Sequence, residues 1–156
     1  MTNSDDSRRD VPTGRSAGAT WRERRIATMA LRLLRGVASL LAAALLAQFF
    51  IVGMAALTDP EWWEYHLTWV GFFQWLVVPL PVLAWVAGPP RPFRVTLASA
   101  PFVQMGLQYV LAHRAMEGRW PIGLGFHAVN AALMLIVTVL LALDWADCRI
   151  PSHDNA

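Results

Sequence analysis

Gly123-Leu-Gly-Phe-His127-Ala-Val-Asn130-Ala-Ala-Leu-Met134-Leu-Ile-Val-Thr138-Val-Leu-Leu-Ala-Leu143 is long and apolar enough to cross a bilayer, yet it carries a histidine and an asparagine. An ionisable side chain inside such a run marks a functional site by default, because its burial in hydrocarbon is expensive. His127, Asn130, Met134 and Thr138 recur at steps of three and four, which places them on one face of a helix. That face is expected to look into protein rather than lipid.

The rest of the chain supplies the helices it would meet. The 156 residues are 56% hydrophobic and only 15% charged, far from the composition of a soluble domain. Uncharged runs extend from Gly36 to Thr58, Tyr65 to Pro90, Val95 to Ala112 and Trp120 to Leu143. Each approaches the roughly 20 residues that span hydrocarbon. The prediction is an all-α fold, an integral membrane four-helix bundle running up-down-up-down over residues 26–145, with spans near 33–57, 62–87, 94–113 and 121–143. Residues 1–25 are expected to form a disordered basic tail and residues 146–156 a short cytoplasmic one. Arg8-Arg9 is followed by Asp10-Val11-Pro12, which does not continue as a twin-arginine signal.

All 13 basic residues are arginines, so a lysine Schiff base is excluded. Cys148 is the only cysteine, which rules out an internal disulfide or a cysteine cluster. Arg8, Arg9, Arg15, Arg22, Arg24, Arg25, Arg32 and Arg35 precede the first span, Arg91 and Arg94 lie between the second and third, and Arg149 follows the fourth. Only Arg114 and Arg119 lie on the opposite side, so both termini are expected in the cytoplasm. The stretch from Trp21 to Arg35 reads as a basic amphipathic lead-in resting on anionic lipids. Nucleic-acid binding is not expected, since this cluster abuts a span without a folded reading domain.

Within the spans the polar residues sort by depth. Asp59 before Pro60 reads as a helix start, and Trp62, Trp63 and Tyr65 as an outer aromatic belt. Pro79 and Pro81 should kink the second span toward its cytoplasmic end. Gln48, Gln74, Gln104 and Asn130 each fall about ten residues from the outer boundary, and are expected to form a buried polar layer near the middle of the bilayer. Its bland role is interhelical glue at about 1 kcal/mol per amide. Nearer the outside lie His66, Gln108 and His127, with His113 at the surface.

The string Ala47-Gln48-Phe49-Phe50-Ile51-Val52-Gly53, then Glu64-Tyr65-His66-Leu67 with Gly71, then the glutamine-bearing third span and Phe126-His127-Ala128-Val129-Asn130-Ala131, resembles the small bacterial four-helix membrane proteins catalogued as the family of unknown function DUF6220. The resemblance implies a multi-pass protein of the bacterial inner (plasma) membrane and no established activity. In the fourth helix this chain has Phe126 and Ala128 where the family pattern has leucine and proline.

A looser similarity, in architecture alone, is to four-helix b-type membrane cytochromes. Two histidines on different helices are what axial haem ligation requires, so His66 and His127 are candidate ligands of one haem b near the periplasmic face. Gln108 is a candidate hydrogen-bonding partner of a ligand, and Arg114 and Arg119 are candidate partners of the propionates. The partner would then be a quinol or a periplasmic redox carrier. Two other classes stand beside electron transfer: a non-enzymatic membrane accessory or scaffold protein, and a small transporter or proton-conducting element assembled as a homodimer. An enzyme is not expected, because the carboxylates lie at helix ends or in tails, where none is buried to be tuned as a base.

Overall fold

The computed structural model describes residues 21–88 and 92–143; residues 1–20 of the expected N-terminal tail and the whole of the expected tail 146–156, with Arg91, Cys148 and Arg149, lie outside the described residues. It consists of α1 (Trp21–Leu57), α2 (Trp62–Phe73), a 3-10 turn (Gln74–Val77), α3 (Pro79–Val86), α4 (Pro92–Met116) and α5 (Gly123–Ala142). Four helical stretches, with α2 to α3 counted as one, are long and apolar enough to cross a membrane. The fold is the all-α four-helix arrangement expected from the hydrophobic runs.

The stretch from Trp21 to Arg25, assigned to the tail on composition, is helical in the structure, and the basic lead-in and the first span form one uninterrupted helix. Local chemistry accounts for the early start. Glu23 sits in the first turn, where a carboxylate suits the helix dipole, and the Arg25 guanidinium lies 5.6 Å from the Trp21 ring centroid. Thirty-seven residues make a helix of about 55 Å, well beyond the roughly 30 Å hydrocarbon core, so α1 extends out of the bilayer at its arginine-rich end. Ala30, Leu34, Ala38, Leu41, Leu45 and Gln48 form its buried stripe at helical spacing.

Asp59 does start the second span, one turn earlier than the regular helix. Its Oδ1 accepts from the Glu61 N–H at 2.9 Å, and the Trp62 and Trp63 N–H groups bond back three residues to Asp59 and Pro60. The break lower in this span follows from the prolines. Pro79 and Pro81 lack the N–H groups that would bond the Trp75 and Val77 carbonyls, and the chain tightens over Gln74–Val77, with the Trp75 carbonyl taking the Val78 N–H instead.

Packing closes the helices into a ring. α1 lies against the second span on one side and α5 on the other, while α4 lies against α3 and α5. The diagonal pairs do not approach to backbone packing distance, and neither do α2 and α4. The core runs through Leu34, Leu41, Leu45, Phe73, Leu80, Ala98, Met105 and Met134. At the turn between α4 and α5 Gly118 adopts φ +70°, which ends α4 with the Gly118 N–H bonded to the Ala115 carbonyl. The chain then returns so tightly that a Cβ on Gly123 would lie 2.9 Å from the Leu111 carbonyl oxygen.

Candidate functional site

The inward face expected of the last helix is present. Asn130, Met134 and Thr138 are buried and His127 is half-buried. Thr138 returns its hydroxyl to the Met134 carbonyl within the helix, at 2.6 Å. The two groups above it reach across to α4. Asn130 Nδ2 donates to the Gln104 carbonyl at 2.9 Å, and His127 Nδ1 lies 3.2 Å from the Gln108 carbonyl. A ring nitrogen facing a carbonyl is an N–H donor, so the other nitrogen of His127, Nε2, carries a lone pair.

His66 is fixed from α1. The Gln48 side-chain amide bonds the ring through Nδ1, and Trp63 packs edge-on with ring centroids 5.5 Å apart. One turn further along α2, Trp69 Nε1 donates to the Ala44 carbonyl at 2.9 Å, which holds α2 against α1. His66 and His127 therefore come from helices on one diagonal of the ring, and both line a half-enclosed cavity of about 370 Å³. Gln48 and Gln108 line it as well, among Leu45, Phe73, Met105 and Met134. The side-chain oxygens of both glutamines are buried without a hydrogen-bond partner. Such unpaired groups cost stability, and sites that hold a ligand are where they persist.

The four mid-membrane amides do not bond one another. Gln48 goes to His66, and Gln74 accepts from the Tyr109 hydroxyl at 2.5 Å. Asn130 uses the Gln104 backbone, while the Gln104 side-chain oxygen is buried and unpaired. Arg114 and Arg119 converge on the Glu117 carboxylate, at 3.6 and 3.4 Å, joined by His113 at 2.9 Å. This cluster sits at the mouth of the cavity, whose lining includes His113 and Met116. Tyr109 lines the cavity too and was not singled out in the sequence, because it falls off the helix face that carries Pro101, Gln104 and Gln108. Among the described residues no three or more His, Cys, Asp or Glu side chains gather as metal ligands.

No curated protein and no solved structure matches the chain. A family model does, and the matched stretch contains Gln48, His66, Gln108, His113, Arg114 and Glu117 but ends before Arg119 and His127. Residues 48–117 match the model of a family of unknown function (DUF6220), the family that the sequence resembles.

Proposed function

We propose that this membrane protein holds one haem b between His66 and His127 and passes single electrons on the outer side of the bilayer. The observation that carries the reading is that the two histidines, from diagonal helices, line one cavity, each with Nδ1 engaged by the bundle. Histidines that ligate a metal characteristically hand their other ring nitrogen to a carbonyl or similar acceptor. His127 already does so. At His66 the Gln48 amide needs half a turn, after which its unpaired Oε1 accepts from Nδ1–H and Nε2 gains the lone pair.

His66 and His127 would hold the haem, which would supply a one-electron redox couple when bound. The chain's own residues orient the two rings, exclude water with apolar walls and leave the Arg114 and Arg119 pairs at the mouth. Those pairs are exposed, and exposed ion pairs are worth only about 0.2–1 kcal/mol, so a propionate can exchange for Glu117 at little cost. A single haem on one side does not carry electrons across about 30 Å of hydrocarbon, so its partner is a quinol or a carrier on that same side.

Protein made with ample haem is expected to show a Soret band and sharp low-spin bands on reduction. His66→Ala and His127→Ala each abolish or open the site, and His113→Ala leaves it unchanged. Colourless wild-type protein, or spectra unaltered in both site variants, overturns the reading. A second reading then stands, a non-catalytic scaffold whose amides serve assembly; its support is that Asn130 and Gln74 both have partners within the bundle.

A further inference from the structure

The bend in the second span leaves a slot between α2 and α4. Below Gln74 the span packs on α4 through α3, whereas α2 itself never comes to packing distance. Leu67 and Val70 of α2 and Tyr109 and Met116 of α4 line the cavity from the two sides of this gap. Leu67 and Tyr109 are exposed. Exposure on the flank of a membrane-spanning bundle means contact with lipid tails, so the cavity opens sideways into the bilayer.

The inner end of the slot is polar and its hydrogen-bond sense is fixed. Gln74 Nε2 donates to the Gly71 carbonyl at 3.2 Å, and Gln74 Oε1 accepts the Tyr109 hydroxyl at 2.5 Å. With its proton committed, the Tyr109 oxygen has only lone pairs to offer a ligand. It accepts from a hydroxyl and gives nothing to a carbonyl. The thioethers of Met105, Met116 and Met134 line the same cavity, and sulfur packs favourably against aromatic rings.

We propose that the slot is a lateral entrance for a lipid-soluble hydroquinone, which donates a hydroxyl to Tyr109 and lays its ring against Leu67, Val70 and Met116 at the slot, leaving free the part of the cavity between His66 and His127. The oxidised quinone, an acceptor only, finds no donor at Tyr109 and binds more weakly. The ligand's role as electron donor rests on the haem reading, because one hydroquinone yields two electrons and two protons and so serves two ferric proteins in turn. Its binding does not rest on it.

The test uses the full chain in lipid vesicles, with Cys148→Ser and one new cysteine in the cavity wall, Met105→Cys, or Ala112→Cys as a second position. Reaction with an uncharged, lipid-soluble maleimide reports entry. Leu67→Trp, at an exposed position that tolerates bulk, is expected to slow that reaction about tenfold or more by filling the slot. Tetramethylhydroquinone should protect the thiol at concentrations about tenfold below those needed of tetramethylquinone or the dimethyl ether, the ratio expected of one buried hydrogen bond. Both rings are fully substituted and do not alkylate the thiol. Tyr109→Phe should erase the difference while leaving labelling itself intact. Equal protection by all three probes, a difference that survives Tyr109→Phe, or labelling indifferent to Leu67→Trp at both positions overturns the proposal. The colour of the same wild-type preparation judges the haem separately: a colourless protein that passes these tests loses the redox role and keeps the binding site.

Discussion

Asn130 and His127 mark how far a residue-level reading reaches. Their spacing with Met134 and Thr138 identified an inward face, and that face is inward. Their partners, the Gln104 and Gln108 carbonyls, were not legible, because a sequence displays which side chain is polar but not which backbone oxygen a neighbouring helix turns toward it. The same limit applies to the amides. Four similar depths suggested one layer, whereas rotation about each helix axis decides which amide meets which group. Asn130→Leu removes one interhelical bond whose acceptor remains within its own helix. The expected loss is about 0.6–1 kcal/mol of bundle stability in lipid, measured by reversible unfolding in mixed micelles. A loss several times larger would assign Asn130 a part in the cavity's function.

At the scale of elements, the turn from α4 to α5 brings backbone closest to a glycine among the described residues. Gly123 is buried, and a methyl there would press on the Leu111 carbonyl at 2.9 Å, a backbone atom that cannot rotate aside. Gly125, two residues on, has nothing within 4 Å of its Cβ position. Gly123→Ala is therefore expected to destabilise the hairpin by about 1–3 kcal/mol, as overpacking does. Gly125→Ala should be neutral or stabilising by up to about 1 kcal/mol through helix propensity. Equal effects from the two would show that the close approach is not held in the folded protein. The two glycines look alike in the sequence; only the path of the return helix separates them. The prolines of the second span were legible because their effect is local: a missing N–H acts on the carbonyl four residues earlier. That the resulting bend opens a gap toward α4 depends on where α4 stands, and composition holds no record of it.

Orientation belongs to the whole molecule, and its signal is the distribution of arginine rather than any contact. Eleven of the 13 arginines, Arg8 through Arg94 together with Arg149, fall on the side of the termini, against Arg114 and Arg119 on the other. Both of the latter pair with Glu117, so the α4–α5 turn carries little net charge, whereas the start of α1 exposes Arg22, Arg24 and Arg25 in a helix that extends out of the hydrocarbon. Basic residues near span ends resist translocation, and the expected outcome is cytoplasmic termini with the cavity mouth facing outward. The check is labelling of single cysteines in intact cells by an impermeant thiol reagent. Arg119→Cys, in a Cys148→Ser background, should label from outside. Pro92→Cys, in the same background, and the native Cys148 should label only after the membrane is opened. The reverse pattern would place the histidine cavity on the cytoplasmic side. The hydroquinone slot, which opens to lipid rather than to either water phase, would survive that result, whereas a periplasmic electron carrier would not.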